Sequence, residues 1–242
     1  MTTTVAAAEA RKDDAGSQTL SRGIRILEFL ADHGQATTIP EIVAGVGLHR
    51  SIVYRLLRTL EQHRLIGRDD RGLVSLGPRL AALAAGVERD LQVSAAPALR
   101  AAAEDLGVTC FLVSLDHAEV ITLLSIEPQR SLVTVAQRPG TTHPLGIGAP
   151  GKAIASLVPR DAWPAQLTEE QLSAIDAVPV NGFAWSHDEV IPGLQSVAVP
   201  LDLSGYVPLA IGVVYIATGH PHADVAERLN AAGTQIRAAL DA

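Results

Sequence analysis

The sequence predicts an α+β chain: an N-terminal winged helix-turn-helix, a linker helix, and a larger domain in which helices pack around an antiparallel sheet. Three observations carry this. At 242 residues the chain exceeds the usual size of a single domain. Its first third carries three helical apolar patterns and then a short hairpin pattern, and the remainder alternates strand-like and helical runs. Charge is also divided unevenly: residues 17–79 hold nine Arg against six Asp and Glu, whereas residues 80–242 hold eight basic against seventeen acidic groups, within a net −7. A basic module joined to an acidic one is expected when only one domain meets phosphate.

Taken in order, residues 1–16 are rich in Ala, Thr and Asp, lack an apolar signal-peptide core, and read as a disordered tail. Residues 17–78 form the winged helix-turn-helix. Leu20, Ile24, Ile26, Leu27 and Leu30 recur at helical spacing over 19–33, and Gly34 follows at the stop position. Thr38-Ile39-Pro40-Glu41 is a capping box with proline in the first turn, opening a short helix through Val46 that Gly47 ends. The third helix begins near His49. Its apolar stripe is Ile52, Val53, Leu56, Leu57 and Leu60, which leaves Arg50, Ser51, Tyr54, Arg55 and Arg58 on the other side. Strands at 65–68 and 73–76 flank the turn Asp69-Asp70-Arg71-Gly72, giving the wing.

The Ala/Leu-rich stretch 79–91 reads as a linker helix, and residues 92–242 as the second domain. Helices are expected at 93–106, 152–158, 168–176 (opened by a capping box from Thr168 to Gln171) and 223–240. Strands are expected at 109–115, 120–126, 132–136, 183–186, 196–201 and 208–216, with a Gly- and Pro-rich loop over 139–151.

Composition narrows the function. Aromatic residues make up 3% of the chain, too few for the stacking platforms that bind single-stranded nucleic acid. The single cysteine, Cys110, rules out a disulfide framework or a cysteine metal cage and fits a reducing cytoplasm. No apolar run is long enough for a membrane span. The G-x-S-x-G, H-E-x-x-H and phosphate-loop motifs are absent, and Cys110 in its apolar strand reads as a packed thiol, so no catalytic residue, metal ligand or cofactor is expected. His220-Pro221-His222 reads as a turn before a helix, with a weak metal site as the alternative, and His187-Asp188-Glu189 as either a solvated loop or a pocket entrance.

A helix fits the major groove of DNA with its N-terminal side chains against base edges. Arg50, Ser51, Tyr54, Arg55 and Arg58 are the candidate readers, each arginine suited to guanine or to phosphate. Arg68 and Arg71 on the wing, and Arg22 and Thr38 at helix starts, are candidate contacts to the DNA backbone or minor groove. Set against this is the simpler possibility that the arginines only solvate a helix surface.

The runs Ser21-Arg22-Gly23-Ile24-Arg25-Ile26-Leu27, Gly47-Leu48-His49-Arg50-Ser51, Tyr54-Arg55-Leu56-Leu57 and Leu76-Gly77 resemble the N-terminal domain of the IclR family of bacterial regulators. Pro144-Leu145, Gly148-Ala149-Pro150-Gly151-Lys152-Ala153 and Gly193-Leu194 resemble that family's second domain, so the likeness spans residues 17–240. The resemblance implies a GAF/PAS-like effector-binding domain with a curved antiparallel sheet. It also implies a homodimer or dimer of dimers on a pseudo-palindromic operator of double-stranded DNA, with a repressor more expected than an activator. Matched by position, the effector pocket would include Gly148, Ala149, Ser186, Ser196, Gly212 and Val214. Two departures stand out: the stretch 168–183 is short for the family, and the pocket lacks the acidic or cysteine side chain found in many members. The expected effector is therefore a ring-bearing or otherwise less polar organic acid rather than a small polar anion. Two alternatives remain from other classes: a small-molecule-processing enzyme with an N-terminal protein-interaction domain, and a ligand-blind DNA-binding protein whose second domain serves assembly.

Overall fold

The computed structural model describes residues 16–129, 135–216 and 221–241. Contacts divide the chain into two compact units, with the boundary between Val87 and Glu88. The expected tail lies outside the described residues except for Gly16.

The first unit holds helices α1 (Gln18–His33), α2 (Ile39–Val46) and α3 (Arg50–Gln62), strands β1 (Ile66–Arg68) and β2 (Val74–Leu76), and helix α4 (Arg79–Ala84). Its core collects Ile26 and Leu30 of α1, Ile42 of α2, Val53, Leu56, Leu57 and Leu60 of α3, and Ile66 and Val74 of the wing. The capping box at Thr38 forms as expected. Glu41 Oε2 accepts hydrogen bonds from Thr37 Oγ1 at 2.6 Å, Thr38 Oγ1 at 2.8 Å and the Thr38 amide at 2.9 Å. Those donors, the Thr37 hydroxyl foremost, lower the Glu41 carboxyl to about 2. Thr37 also bridges to Val74, which ties the start of α2 to the wing. The Arg25 guanidinium donates to the Val46 carbonyl at 2.9 Å, closing the C-terminal end of α2 onto α1.

The linker differs from expectation. Instead of one helix over 79–91 there is a six-residue α4 with no buried residue, then a turn, then α5 (Arg89–Leu106) preceded by Glu88 at φ 46°. Composition favours an unbroken helix here, but Gly86 and the left-handed Glu88 interrupt it.

The second unit adds β3 (Thr109–Asp116), β4 (Glu119–Ile126), β5 (Thr142–Pro144), α6 (Gly148–Ala155), α7 (Glu169–Asn181), β6 (Ala184–His187), β7 (Gln195–Leu201), β8 (Leu209–Tyr215) and α8 (His222–Leu240). Six strands form one curled antiparallel sheet in the order β5-β4-β3-β8-β7-β6. A register shift at Leu112–Val113 marks a bulge, a device that bends a strand. Alternation sorts the strand residues between two cores. Cys110, Leu112, Val197, Val199, Ile211 and Val213 pack beneath α5 and α8, while Phe111, Val113, Ala198, Ala210 and Val214 face α6 and α7.

Beyond the linker, most expected elements are present within a residue or two, with four differences. Residues 132–134 of the expected strand lie outside the described residues, and 135–136 are not in a strand. The sheet gains β5 instead, inside the segment read as a loop, paired with β4 through Val120 and His143. Helix α6 begins at Gly148 rather than Lys152, so the glycine-rich segment supplies its first turn. Helix α7 passes the expected stop at Asp176 and continues through Pro179 to Asn181, with Ile175 and Val178 buried against the second core and Gly182 closing it. Burial of that face outweighs the hydrogen bond that Pro179 cannot donate.

Candidate functional site

Two surfaces hold the chemistry, one in each unit. On the first, α3 is divided lengthwise: Val53, Leu56, Leu57 and Leu60 are buried, and Arg50, Ser51, Tyr54, Arg55 and Arg58 are all exposed. His49 caps the helix, its Nδ1 accepting the Ser51 amide at 3.4 Å and lying 2.9 Å from the Ser51 hydroxyl. The Arg50 guanidinium donates to the Tyr54 hydroxyl at 3.1 Å and lies over its ring at 5.3 Å, so the two side chains hold one another extended from the helix. Tyr54, Arg55, Arg58, Glu61 and Arg68 line a shallow surface groove. Arg68 reaches back to Glu61 at 3.3 Å, and the Thr38 hydroxyl is engaged in its capping box. Arg71 stands exposed at the wing tip, where Asp69 Oδ1 accepts the amides of Arg71 and Leu73. Arg22 is partly exposed in the first turns of α1.

In the second unit a cavity of about 70 Å3 lies between the curled sheet and the start of α6. Gly148, Ser186, Ser196 and Val214, four of the six positions expected there, line it together. Ala149 and Gly212 do not, and each has another task. The Ala149 amide donates to the Ser186 hydroxyl at 3.0 Å. Gly212 lies across from Phe111 on the neighbouring strand, and a β-carbon there would fall 2.8 Å from the Phe111 ring, so the glycine is the space in which that cavity-lining ring sits. Gly212→Ala is expected to push Phe111 into the cavity and to lower the thermal stability of this unit by about 1–3 kcal/mol.

The positively polarised end of α6 is also occupied. The Gly148 amide donates to Glu189 Oε2 at 3.1 Å, Glu189 Oε1 pairs with the ammonium of Lys152, and Pro150 has no amide hydrogen to offer. Lys152, only 4% exposed, also donates to the Trp185 carbonyl at 3.4 Å. Gly148 adopts φ 69°, and a β-carbon there would meet Val190 at 2.8 Å, so this turn needs glycine for both conformation and room. Of the two readings of His187-Asp188-Glu189, the pocket entrance is the one that describes Glu189.

His143, Lys152 and Phe111 were missing from the sequence-derived site, and Glu189 entered it only as one of two readings of its loop. Lys152 had a visible signal: it is one of two lysines in an arginine-rich chain and interrupts an apolar run. His143 had none, because it sits in the segment read as loop. Burial holds the His143 imidazole well below its usual range, at about 4. Between the unfolded value of 6.5 and this one, the unfolded chain binds a proton that the folded chain refuses. The unit is therefore expected to lose stability as pH falls from 6.5 towards 4, by up to roughly 3 kcal/mol at about 1.4 kcal/mol per pH unit, and to show no loss from this group above that window. His143→Gln should flatten the curve, read as urea midpoint against pH.

Elsewhere, Cys110 is fully buried in β3, and desolvation pushes its thiol up to about 12, which leaves it protonated and without nucleophilic character. Of the expected His220-Pro221-His222 turn, His220 lies outside the described residues, and His222 stacks on Trp185 at 5.1 Å. Among the described residues no group of His, Cys, Asp and Glu is arranged to hold a metal, and no helix is long and apolar enough to cross a membrane.

A helix-turn-helix unit with a basic exposed helix, followed by a curled-sheet unit that holds a cavity, is the architecture of a DNA-binding transcriptional regulator. Residues 19–70 match the IclR helix-turn-helix domain and residues 84–238 the bacterial transcriptional regulator IclR C-terminal domain, and the chain belongs to the IclR family. It is 30% identical over 217 residues to the HTH-type transcriptional regulator TtgV of Pseudomonas putida, covering 81% of each chain. Among solved structures, an IclR regulator from Alicyclobacillus acidocaldarius is 26% identical, with a TM-score of 0.79 over 93% of this chain and 99% of that one. An IclR homologue from Microbacterium hydrocarbonoxydans, solved with 4-hydroxybenzoate, shares the fold at 21% identity and a TM-score of 0.78, again over 93% and 99%.

Proposed function

We propose that this regulator is a cytoplasmic, effector-controlled repressor that binds a pseudo-palindromic operator as a homodimer or dimer of dimers. The observation that carries the DNA-reading half is the lengthwise division of α3, with every one of its five candidate readers exposed. Arg50, Ser51, Tyr54, Arg55 and Arg58 enter the major groove. Arg71, and Arg68 on leaving Glu61, reach the backbone from the wing, while Arg22 and Thr38 flank them. Pairing through the first unit is supported by Leu20 and Ile24, which are 63% and 45% exposed on one side of α1, an apolar stripe that a second copy would cover.

The effector sits in the cavity bounded by Gly148, Ser186, Ser196 and Val214, with Ala149 and Gly212 shaping it from behind. Its binding shifts the population of assembly states and hence the spacing of paired recognition helices. A ring-bearing or otherwise less polar molecule suits the Phe111, Leu194 and Val214 walls, and 4-hydroxybenzoate in the Microbacterium homologue supports a ring in this fold. An acid is less well supported, since Glu189 already provides the carboxylate at α6.

Fluorescence anisotropy on the DNA upstream of the protein's own gene, beside a scrambled duplex at two salt concentrations, tests the reading. Tight, sequence-selective binding that weakens with salt is expected. A folded protein that binds no DNA would overturn it and return attention to the enzyme alternative.

A further inference from the structure

We propose that His143 anchors the effector, and that the effector is an uncharged, ring-bearing molecule whose hydroxyl pairs with His143 Nε2. The inference rests on the effector-pocket reading above and goes further in naming the anchor and the ligand class.

His143 is 9% exposed on β5 and lines the cavity, and its Nε2 has no hydrogen-bond partner among the described residues. A buried polar atom without a partner is costly, and a ligand group placed opposite it removes that cost. Several other polar groups at the cavity are already engaged. The Ser186 hydroxyl accepts the Ala149 amide, Ser196 donates to the Val213 carbonyl at 2.7 Å, and Gln137 donates to the Thr122 hydroxyl at 2.9 Å. The His143 ring lies 3.8 Å from where a β-carbon on Gly148 would stand, so the unpartnered nitrogen is beside the start of α6.

Charge selects the ligand class. The α6 N-terminus, where a bound carboxylate would gain most, already holds the chain's own Glu189, itself neutralised by Lys152. A ligand carboxylate would meet a like charge there, and a ligand cation would find its counter-ion taken. The imidazole, held by burial at about 4, is neutral at physiological pH and adds no attraction for an anion. A hydroxyl can either give its proton to Nε2 or accept one from it, so the pairing holds for either tautomer. Phe111, Pro150, Val190, Ile191, Leu194 and Val214 supply apolar walls for a ring. At about 70 Å3 the cavity is roughly half the size of an engineered protein void that takes up benzene. Entry therefore moves Val190 and Ile191, each about half exposed (50% and 49%), outward.

The test is calorimetry on the full chain with three probes of one shape: 4-ethylphenol, ethylbenzene and 4-ethylbenzoate. Each is titrated into the unaltered protein, His143→Leu and His143→Gln, with DNA anisotropy and thermal midpoint as folding controls. The unaltered protein should bind 4-ethylphenol about ten- to a hundred-fold more tightly than either other probe, the range set by one well-placed buried hydrogen bond. His143→Leu should bring 4-ethylphenol down to the level of ethylbenzene, and His143→Gln should restore part of the difference. Tightest binding of 4-ethylbenzoate overturns the proposal, as does a phenol preference that survives His143→Leu. Selective DNA binding with no uptake of any probe also overturns it while leaving the regulator reading standing. If His143→Leu fails the folding controls, His143→Gln decides: a phenol preference unchanged from the unaltered protein overturns the proposal, and a reduced one supports it.

Discussion

Replacing Arg50 and Arg55 together by alanine is expected to lower affinity for operator DNA by roughly 30-fold to 25,000-fold, since an arginine that reads a base edge contributes about 1–3 kcal/mol. Both side chains are exposed on α3, about 1.4 turns apart, and neither supports the core beneath. Arg50 is braced by Tyr54, so little of its binding energy goes into ordering the side chain. Among the described residues Arg55 makes no ion pair that it would have to give up. Fluorescence anisotropy across a salt series separates two modes of action. If the pair reads bases, selectivity over a scrambled duplex collapses while the salt slope holds. If it grips phosphate, the slope falls by about 1 for each lost contact and binding weakens on all sequences. Unchanged affinity would place the DNA-reading surface away from α3.

Removing the Glu189 carboxylate is expected to destabilise the second unit by about 3 kcal/mol, because Glu189→Ala strands the Lys152 ammonium in a site where its side chain is 6% exposed. The same change leaves the Gly148 amide without its acceptor. Adding Lys152→Met should recover much of the loss, since no buried charge is then left unpaired and the methionine fills similar volume. Urea unfolding followed by tryptophan fluorescence reports this unit alone, because the chain's two tryptophans, Trp163 and Trp185, both lie in it. A cost below about 1 kcal/mol for Glu189→Ala would mean that the pair behaves as a surface salt bridge and does not hold the α6 entrance together.

The exposed basic side of α3 was legible from the sequence almost in full, and the cavity of the second unit only in outline. Arg50, Ser51, Tyr54, Arg55 and Arg58 could be assigned to one side of α3 because the helical period is local: Val53, Leu56, Leu57 and Leu60 define the buried side, and the other side follows. The pocket drew on family resemblance for its list, and four of its six positions line one cavity. What the list lacked was the set of side chains that decides the pocket's character. The His143 segment carries too short an apolar pattern to read as a strand, and it pairs with β4 only because the sheet edge there is available.

What the sequence determined by itself was whatever nearest neighbours along the chain dictate. That includes the capping boxes at Thr38 and Thr168 and the glycine stops at Gly34 and Gly47. Only the tertiary structure decided where local preference was outvoted or silent. Pro179 lies within α7 because burial of Ile175 and Val178 outweighs one absent hydrogen bond, and the linker breaks at Gly86–Glu88 although its composition favours a helix. Glu189 reaches Gly148 across 41 residues, and Ser186 reaches Ala149 across 37. Contacts of that span leave no period or motif in the sequence, because they depend on which groups the sheet brings together and on how far each is removed from water.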